Sequence, residues 1–182
     1  YDNSGGGITL SGGEPLMQIE FTEALLQAAG EEGMHRCLDT CGHAEPARLT
    51  RILPYTDLFL YDIKETNPGL HRQWTGVDNS RVLENLRLIH AQGAPIRLRC
   101  PIVPGYNDRE DHFAGLAALC RELPDIEGIE IMPYHDYGES KLERFGLGSE
   151  IRASAAPPDA ATLTAWAKRL RALGARVVNN GA

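Results

Sequence analysis

The apolar positions of this 182-residue chain switch between two rhythms, and the switch recurs along its length. Short β-like runs at 8–10, 34–38, 57–62, 95–103 and 126–132 alternate with stretches where apolar residues return every three to four positions. The first helical stretch carries Ile19, Leu25, Leu26 and Ala29 and stops at Gly33. Pro46 suits the first turn of a second, which runs to about Leu53. Asn79 predicts the cap of a third, with Val82, Leu83, Leu86 and Ile89 on one face and an end near Gly93. A fourth starts at Asp108 and continues through Leu116, Leu119 and Leu123. Pro157-Pro158-Asp159 introduces the last, over 160–173, and Arg176-Val177-Val178 predicts a short final strand. The run from Asp57 to Asp62 is nearly all apolar, the pattern of a strand covered on both faces.

Five βα units in succession predict a parallel sheet with helices packed outside it. An open doubly wound sheet and a segment of a barrel both satisfy that pattern. The strand ends separate them. The loop at Gly12 and Gly13, then Asp39, Asp62, Arg99 and His135, fall at or near the carboxyl ends of successive strands. Polar groups spread along one rim fit a partial (βα) barrel with a curved sheet and a ligand across its mouth. A doubly wound sheet would concentrate them at one switch point. The length fits a single domain over 1–182.

Composition narrows the partners. A net charge of −7 with no long basic stripe excludes a general phosphate-backbone binder, so no nucleic acid is expected. No apolar stretch is long enough to span a bilayer and no signal peptide is visible, so no membrane is expected either. Cys37, Cys41, Cys100 and Cys120 are too few and too scattered for a disulfide framework, which points to a reducing, cytoplasmic compartment.

The chemistry of the rim starts at Ser4–Pro15, Ser-Gly-Gly-Gly-Ile-Thr-Leu-Ser-Gly-Gly-Glu-Pro. Glycines there let backbone approach a ligand that a Cβ would exclude. Asp39 and Asp62, on adjacent strands, form a carboxylate pair able to hold a cation or an amino group. Lys64 offers a positive charge to a carboxylate, and His135 can hydrogen-bond a sugar or hold a base edge. Together they suit a zwitterionic ligand bearing a nucleoside. Two other readings stay open on the residues alone. One is a (βα)-barrel lyase or aldolase with Lys64 as Schiff-base nucleophile and Asp39 or Asp62 as proton carrier. The other is a ligand-binding domain without chemistry.

Seven motifs, at 4–15, 38–42 (Leu-Asp-Thr-Cys-Gly), 60–64 (Leu-Tyr-Asp-Ile-Lys), 75–77, 104–108 (Pro-Gly-Tyr-Asn-Asp), 133–135 (Pro-Tyr-His) and 138–141 (Gly-Glu-Ser-Lys), come in the order of a known family. By them the sequence resembles the glycyl radical enzyme activating enzymes of the radical S-adenosylmethionine (SAM) superfamily, such as those acting on pyruvate formate-lyase. The resemblance implies a partial barrel of the radical SAM type. It implies that Gly12, Gly13 and Glu14 bind the amino group of S-adenosylmethionine. Asp39 and Asp62 would line its carboxylate and sulfonium end, where some members hold a monovalent cation. Lys64, with Ile63 beside it, would meet the carboxylate, Arg99 to Ile102 would lie beside the adenine, and His135 would touch the nucleoside. In such enzymes a reduced 4Fe-4S cluster cleaves S-adenosylmethionine, and the resulting radical takes a hydrogen atom from a glycine of the partner enzyme. Flavodoxin or ferredoxin supplies the electron.

The family holds its cluster with Cys-x3-Cys-x2-Cys. Cys37-x3-Cys41 matches the first half, but position 44 is alanine. All four cysteines are therefore read as structural or incidental, and no catalytic or metal-binding residue is assigned. The cluster cysteines are expected before Tyr1, so that the first strand of the barrel is missing. The strand at 8–11 then becomes an unprotected edge, with disorder before about Gly7 or pairing with a second chain. This piece alone is expected to bind S-adenosylmethionine weakly and to be inactive.

Overall fold

Five of the apolar runs become strands in the computed structural model, which describes residues 6–135 and 156–179. They are β1 (Gly7–Leu10), β2 (His35–Thr40), β3 (Leu58–Asp62), β4 (Ile96–Ile102) and β5 (Gly128–Pro133). All neighbours pair in parallel, in the order β1-β2-β3-β4-β5. An order that never reverses is that of a barrel segment, and it removes the doubly wound alternative. The connecting helices are α1 (Ile19–Glu31), α2 (Pro46–Ile52), α3 (Pro68–Thr75), α4 (Ser80–Ala91), α5 (Glu110–Glu122) and α6 (Ala160–Ala172). The 138–141 motif, the residues before Gly6 and most of 143–158 lie outside the described residues.

The alternation of each strand sorts its side chains between two faces. Leu38, Phe59, Tyr61, Ile96, Leu98, Cys100, Ile102, Ile129 and Ile131 are fully buried under the helices. Their neighbours Cys37, Asp39, Leu60, Asp62, Arg97, Arg99, Glu130 and Met132 share the other, inner face, which is only partly covered. The expectation that β3 is covered on both faces is thus corrected. Its apolar run reflects a buried outer row and Leu58 and Leu60 low on the inner one, with Asp62 above them.

Several local expectations shift for identifiable reasons. Helix α3 is absent from the sequence reading, although Asn67 caps it (Oδ1 accepts from Gly69 N at 2.9 Å and Leu70 N at 3.1 Å), Pro68 opens it and Gly76 closes it at φ 86°. Asn79 does not cap α4 with its side chain. Its amide donates instead to the carbonyls of Glu65 and Thr66, and Asp78 takes the Ser80 N–H at 3.0 Å. Helix α5 begins at Glu110, because Asp108 is spent on the Gly105 N–H in the preceding turn. The expected final strand is a single parallel bridge, Val177 to Ile129.

The two outer strands differ. β5 is closed on its far side by the Val177 bridge and by Asn179, whose side chain exchanges two hydrogen bonds with Ile131 (2.8 and 3.0 Å). β1 has no strand on its far side among the described residues. On the neighbouring helices, Glu20 and Glu23 of α1 meet Arg51 of α2, while Met17, Phe21 and Leu25 stay exposed.

Candidate functional site

The turn after β1 puts Gly12 at φ 89° and Gly13 at φ 52°, with nothing within 4 Å of where a Cβ would stand. Backbone is therefore bare toward open space at this point. Glu14 follows in an extended conformation and becomes a clasp. Its carboxylate accepts from Leu16 N (3.1 Å), Thr40 Oγ1 (2.6 Å), Cys41 N (2.9 Å) and Cys41 Sγ (3.0 Å). Four donors fill the positions a carboxylate offers. Glu14 thereby fastens the Gly12–Gly13 turn to the end of β2. Burial and the bond to Glu14 push the Cys41 thiol up to about 11, so it stays protonated at neutral pH.

The next turn is fixed from below. Gly42, at φ 66°, lies so close over the Tyr61 phenol that a Cβ would stand 1.7 Å from its oxygen. Buried Asn85 donates to the carbonyls of Gly42 (2.7 Å) and Ala44 (2.8 Å). Tyr61 itself donates to Val82 O at 2.7 Å.

The charges of the inner face alternate in sign. Arg99 reaches over β3 to Asp39 (2.7 Å), which also accepts from Ser11 Oγ (2.7 Å). Lys64 Nζ stands 3.7 Å from Asp62. The expected carboxylate pair is thus present on adjacent strands, but each member already has its own cation. Burial, and secondarily Asp39, raise Asp62 to about 6 despite the nearby Lys64 and Arg99. Arg99 stands three residues before the carboxyl end of β4. It lies inside β4, level with Asp62 in the β3–β4 register, and its buried Nε lacks a hydrogen-bond partner.

Three cavities meet at Asp62. One of about 70 Å³ is lined by Ser11, Gly13, Glu14, Asp39, Thr40, Cys41, Asp62 and Lys64. One of about 310 Å³ lies among Asp62, Arg99, Pro101, Met132, Pro133 and His135. A third, of about 240 Å³, runs from Cys41, Asp62 and Lys64 to His71 and Thr75 of α3. Gly13, Glu14, Asp39, Asp62, Lys64, Arg99 and His135 thus line cavities that adjoin at Asp62. Gly12 adjoins the first of them through Gly13. Ile63 does not reach them with its side chain, which is 1% exposed in the core, while its N–H donates to Arg99 O at 2.9 Å.

Sequence reasoning missed what seats Lys64. Its carbonyl accepts from Asn107 Nδ2 at 2.8 Å. The following Glu65, 1% exposed, is held by Arg109 (3.1 Å) and by the Asn67 N–H (2.8 Å). A charged residue next to a site lysine, with Asn-Asp-Arg after the following strand, was the signal available. Lys64 is half exposed and paired with Asp62, the opposite of the desolvated setting a Schiff-base lysine needs.

The residues fit S-adenosylmethionine: bare glycine backbone at Gly12 and Gly13 stands beside the paired acids and bases Asp39, Asp62, Lys64 and Arg99. They do not fit an iron–sulfur cluster. No group of three or more His, Cys, Asp or Glu side chains able to hold a metal occurs among the described residues, and burial raises all four thiols.

Comparison with known proteins agrees. The model of the radical SAM superfamily matches residues 2–117. The isethionate sulfite-lyase activating enzyme of Nitratidesulfovibrio vulgaris is 43% identical over 143 residues, 78% of this chain and 46% of that protein. The choline trimethylamine-lyase activating enzyme of Oleidesulfovibrio alaskensis is 37% identical over 163 residues, 88% and 53% respectively. The chain spans about half the length of these curated relatives. The crystal structure of a domain of pyruvate-formate lyase-activating enzyme from Bacteroides vulgatus superposes with a TM-score of 0.77 at 26% identity, over 95% of this chain and 98% of that one. With the sequential parallel sheet and the ligand rim at its carboxyl end, these matches make the chain a member of the radical SAM superfamily, similar within it to the activating enzymes of glycyl radical enzymes.

Proposed function

We propose that the chain is the S-adenosylmethionine-binding core of an activating enzyme that places a glycyl radical on a partner enzyme. One observation carries this: Asp62 is common to a tight cavity bordered by Gly13, Asp39 and Lys64 and a wider one bordered by Arg99 and His135. A small charged head fits the first and a nucleoside fits the second.

In this reading the Gly12–Gly13 backbone receives the ammonium group and Lys64 the carboxylate. Asp39 and Asp62 supply the negative field that a sulfonium requires. Pro101 and Met132 wall the base, and His135 meets the sugar. When bound, S-adenosylmethionine supplies a carbon–sulfur bond whose reductive cleavage begins the radical chemistry. The residues of this chain orient it and keep water away. The partner is a glycyl radical enzyme, the electron donor a flavodoxin or ferredoxin, and the compartment the cytoplasm; no described helix is long and apolar enough to cross a membrane. The names of the relatives differ in their partner, so the choice among lyases rests on surface outside this core. Because none of its cysteines suits a cluster, the 182-residue chain by itself is catalytically silent.

Calorimetric titration with S-adenosylmethionine tests this. Weak but saturable binding is expected, lost in Asp62→Asn and Lys64→Met. Absence of binding, or binding indifferent to both substitutions, overturns the reading. Cleavage of S-adenosylmethionine after reconstitution with iron and sulfide would overturn the claim of silence.

A further inference from the structure

A fourth cavity, of about 190 Å³, adjoins these, sharing Lys64 and Thr75 with the third and Pro101 and Val103 with the 310 Å³ one. Its walls are the Lys64 stem, Trp74 and Thr75 of α3, Pro101 and Val103 of β4 and its end, and Tyr106 and Asn107 of the following turn. The polar atoms of Asn107 are spent. Nδ2 donates to Lys64 O (2.8 Å) and Pro101 O (2.7 Å), and Oδ1 accepts from Val103 N (2.7 Å). The Thr75 hydroxyl lies within reach of the His71 and Val77 carbonyls (2.8 and 3.0 Å). Asn107 and Thr75 therefore have little to offer a sugar or a base edge, and what remains is apolar wall.

Those walls are also set in advance. Trp74 is held edge-on by Tyr106 (5.9 Å between ring centres) and over its face by the Arg109 guanidinium (5.7 Å). Arg109 is in turn anchored on buried Glu65. A preformed apolar cavity gains affinity for an apolar occupant because little ordering remains to be done on binding.

We infer that this cavity is a side-chain subsite for the polypeptide substrate, taking a large apolar residue next to the glycine that is to carry the radical. The inference rests on the activating-enzyme reading. A glycine presented at the Asp62–Lys64 opening leaves its neighbours about 3.5 Å per residue away along an extended chain. Lys64 lines both the tight cavity beside Asp62 and this one, so the adjacent side chain is the group that reaches it.

Tryptophan fluorescence tests the inference without an active enzyme. The chain has two tryptophans, and Trp166 is buried on the inner side of α6, so Trp166→Phe leaves Trp74 as the reporter. The probes are capped hexapeptides with a central glycine followed by leucine, alanine or aspartate, titrated to millimolar concentration. The leucine peptide should shift Trp74 emission and bind about fiftyfold more tightly than the alanine peptide, the worth of three more buried carbons. The aspartate peptide should not bind. Thr75→Phe, which fills the cavity, should abolish the preference for leucine. If that variant does not fold, Tyr106→Ala enlarges the cavity and should move the preference toward phenylalanine at the same position. Equal binding of the peptides, preference for aspartate, or no binding of any would overturn the subsite. S-adenosylmethionine titration of the same protein separates the two claims. Leucine preference without nucleoside binding would sink the activating-enzyme reading alone, and nucleoside binding without leucine preference would sink the subsite alone.

Discussion

The outer and inner faces of the sheet are built from alternate residues of the same strands, yet they obey different rules. The outer face is a closed apolar layer: Phe59, Tyr61, Leu98, Ile129 and Ile131 are all fully buried. The inner face carries Asp39, Asp62, Arg97, Arg99 and Glu130 in partly open positions. One face supplies the burial that folds the chain. The other holds charge in place at the level of the rim, where the fold can tolerate it and a ligand can use it.

Substitutions should break the two faces in different currencies. The largest effect is expected on the outer face. Phe59→Ala should cost about 3–5 kcal/mol in urea unfolding, with the ligand affinity of the surviving folded fraction unchanged. Next comes Asp62. In the folded chain it holds its proton up to about pH 6, whereas the unfolded chain releases it near 4. The folded state thus binds more protons in that window, so stability should fall as pH rises through it, by about 3 kcal/mol. Asp62→Asn should flatten that slope in denaturation curves taken from acid to neutral pH. Affinity for S-adenosylmethionine should run the opposite way, weakening about tenfold for each unit below pH 6 if ionised Asp62 is what the sulfonium meets. Arg99→Met follows, at about 1–3 kcal/mol, because Asp39 loses its cation while keeping Ser11. Adding Asp39→Asn should restore much of that loss but not ligand binding, which a double-mutant cycle would read. Smallest is Arg97→Met. Its pair with Glu127 (2.7 Å) sits at the open end of the face, and the change should stay below about 1 kcal/mol with binding unaffected.

The same contrast explains what could be read in the sequence. Buried alternation is a statement about one residue at a time, and Ile96, Leu98, Cys100 and Ile102 announce β4 without help. The inner face depends on who stands across from whom. Asp39 and Asp62 are legible as strand-end acids, but that Arg99 crosses β3 to neutralise Asp39 follows only from the register. Glu14 reads as a ligand group from its motif, and its capture by Thr40 and Cys41 depends on the β1–β2 pairing, 26 and 27 residues away. Helix α3 was different. Its Asn-Pro start and Gly76 stop are local signals that its polar middle, His71-Arg72-Gln73, outweighed.

The unequal outer strands have a consequence for the acid pair. With Asn179 and Val177 stitched along β5, the open side of the sheet among the described residues is that of Gly7–Leu10. An added strand there would find donors and acceptors ready. Only Ser11 separates Gly7–Leu10 from the glycine turn, and its hydroxyl is bonded to Asp39 at 2.7 Å, so the free edge and the acid pair are two links apart.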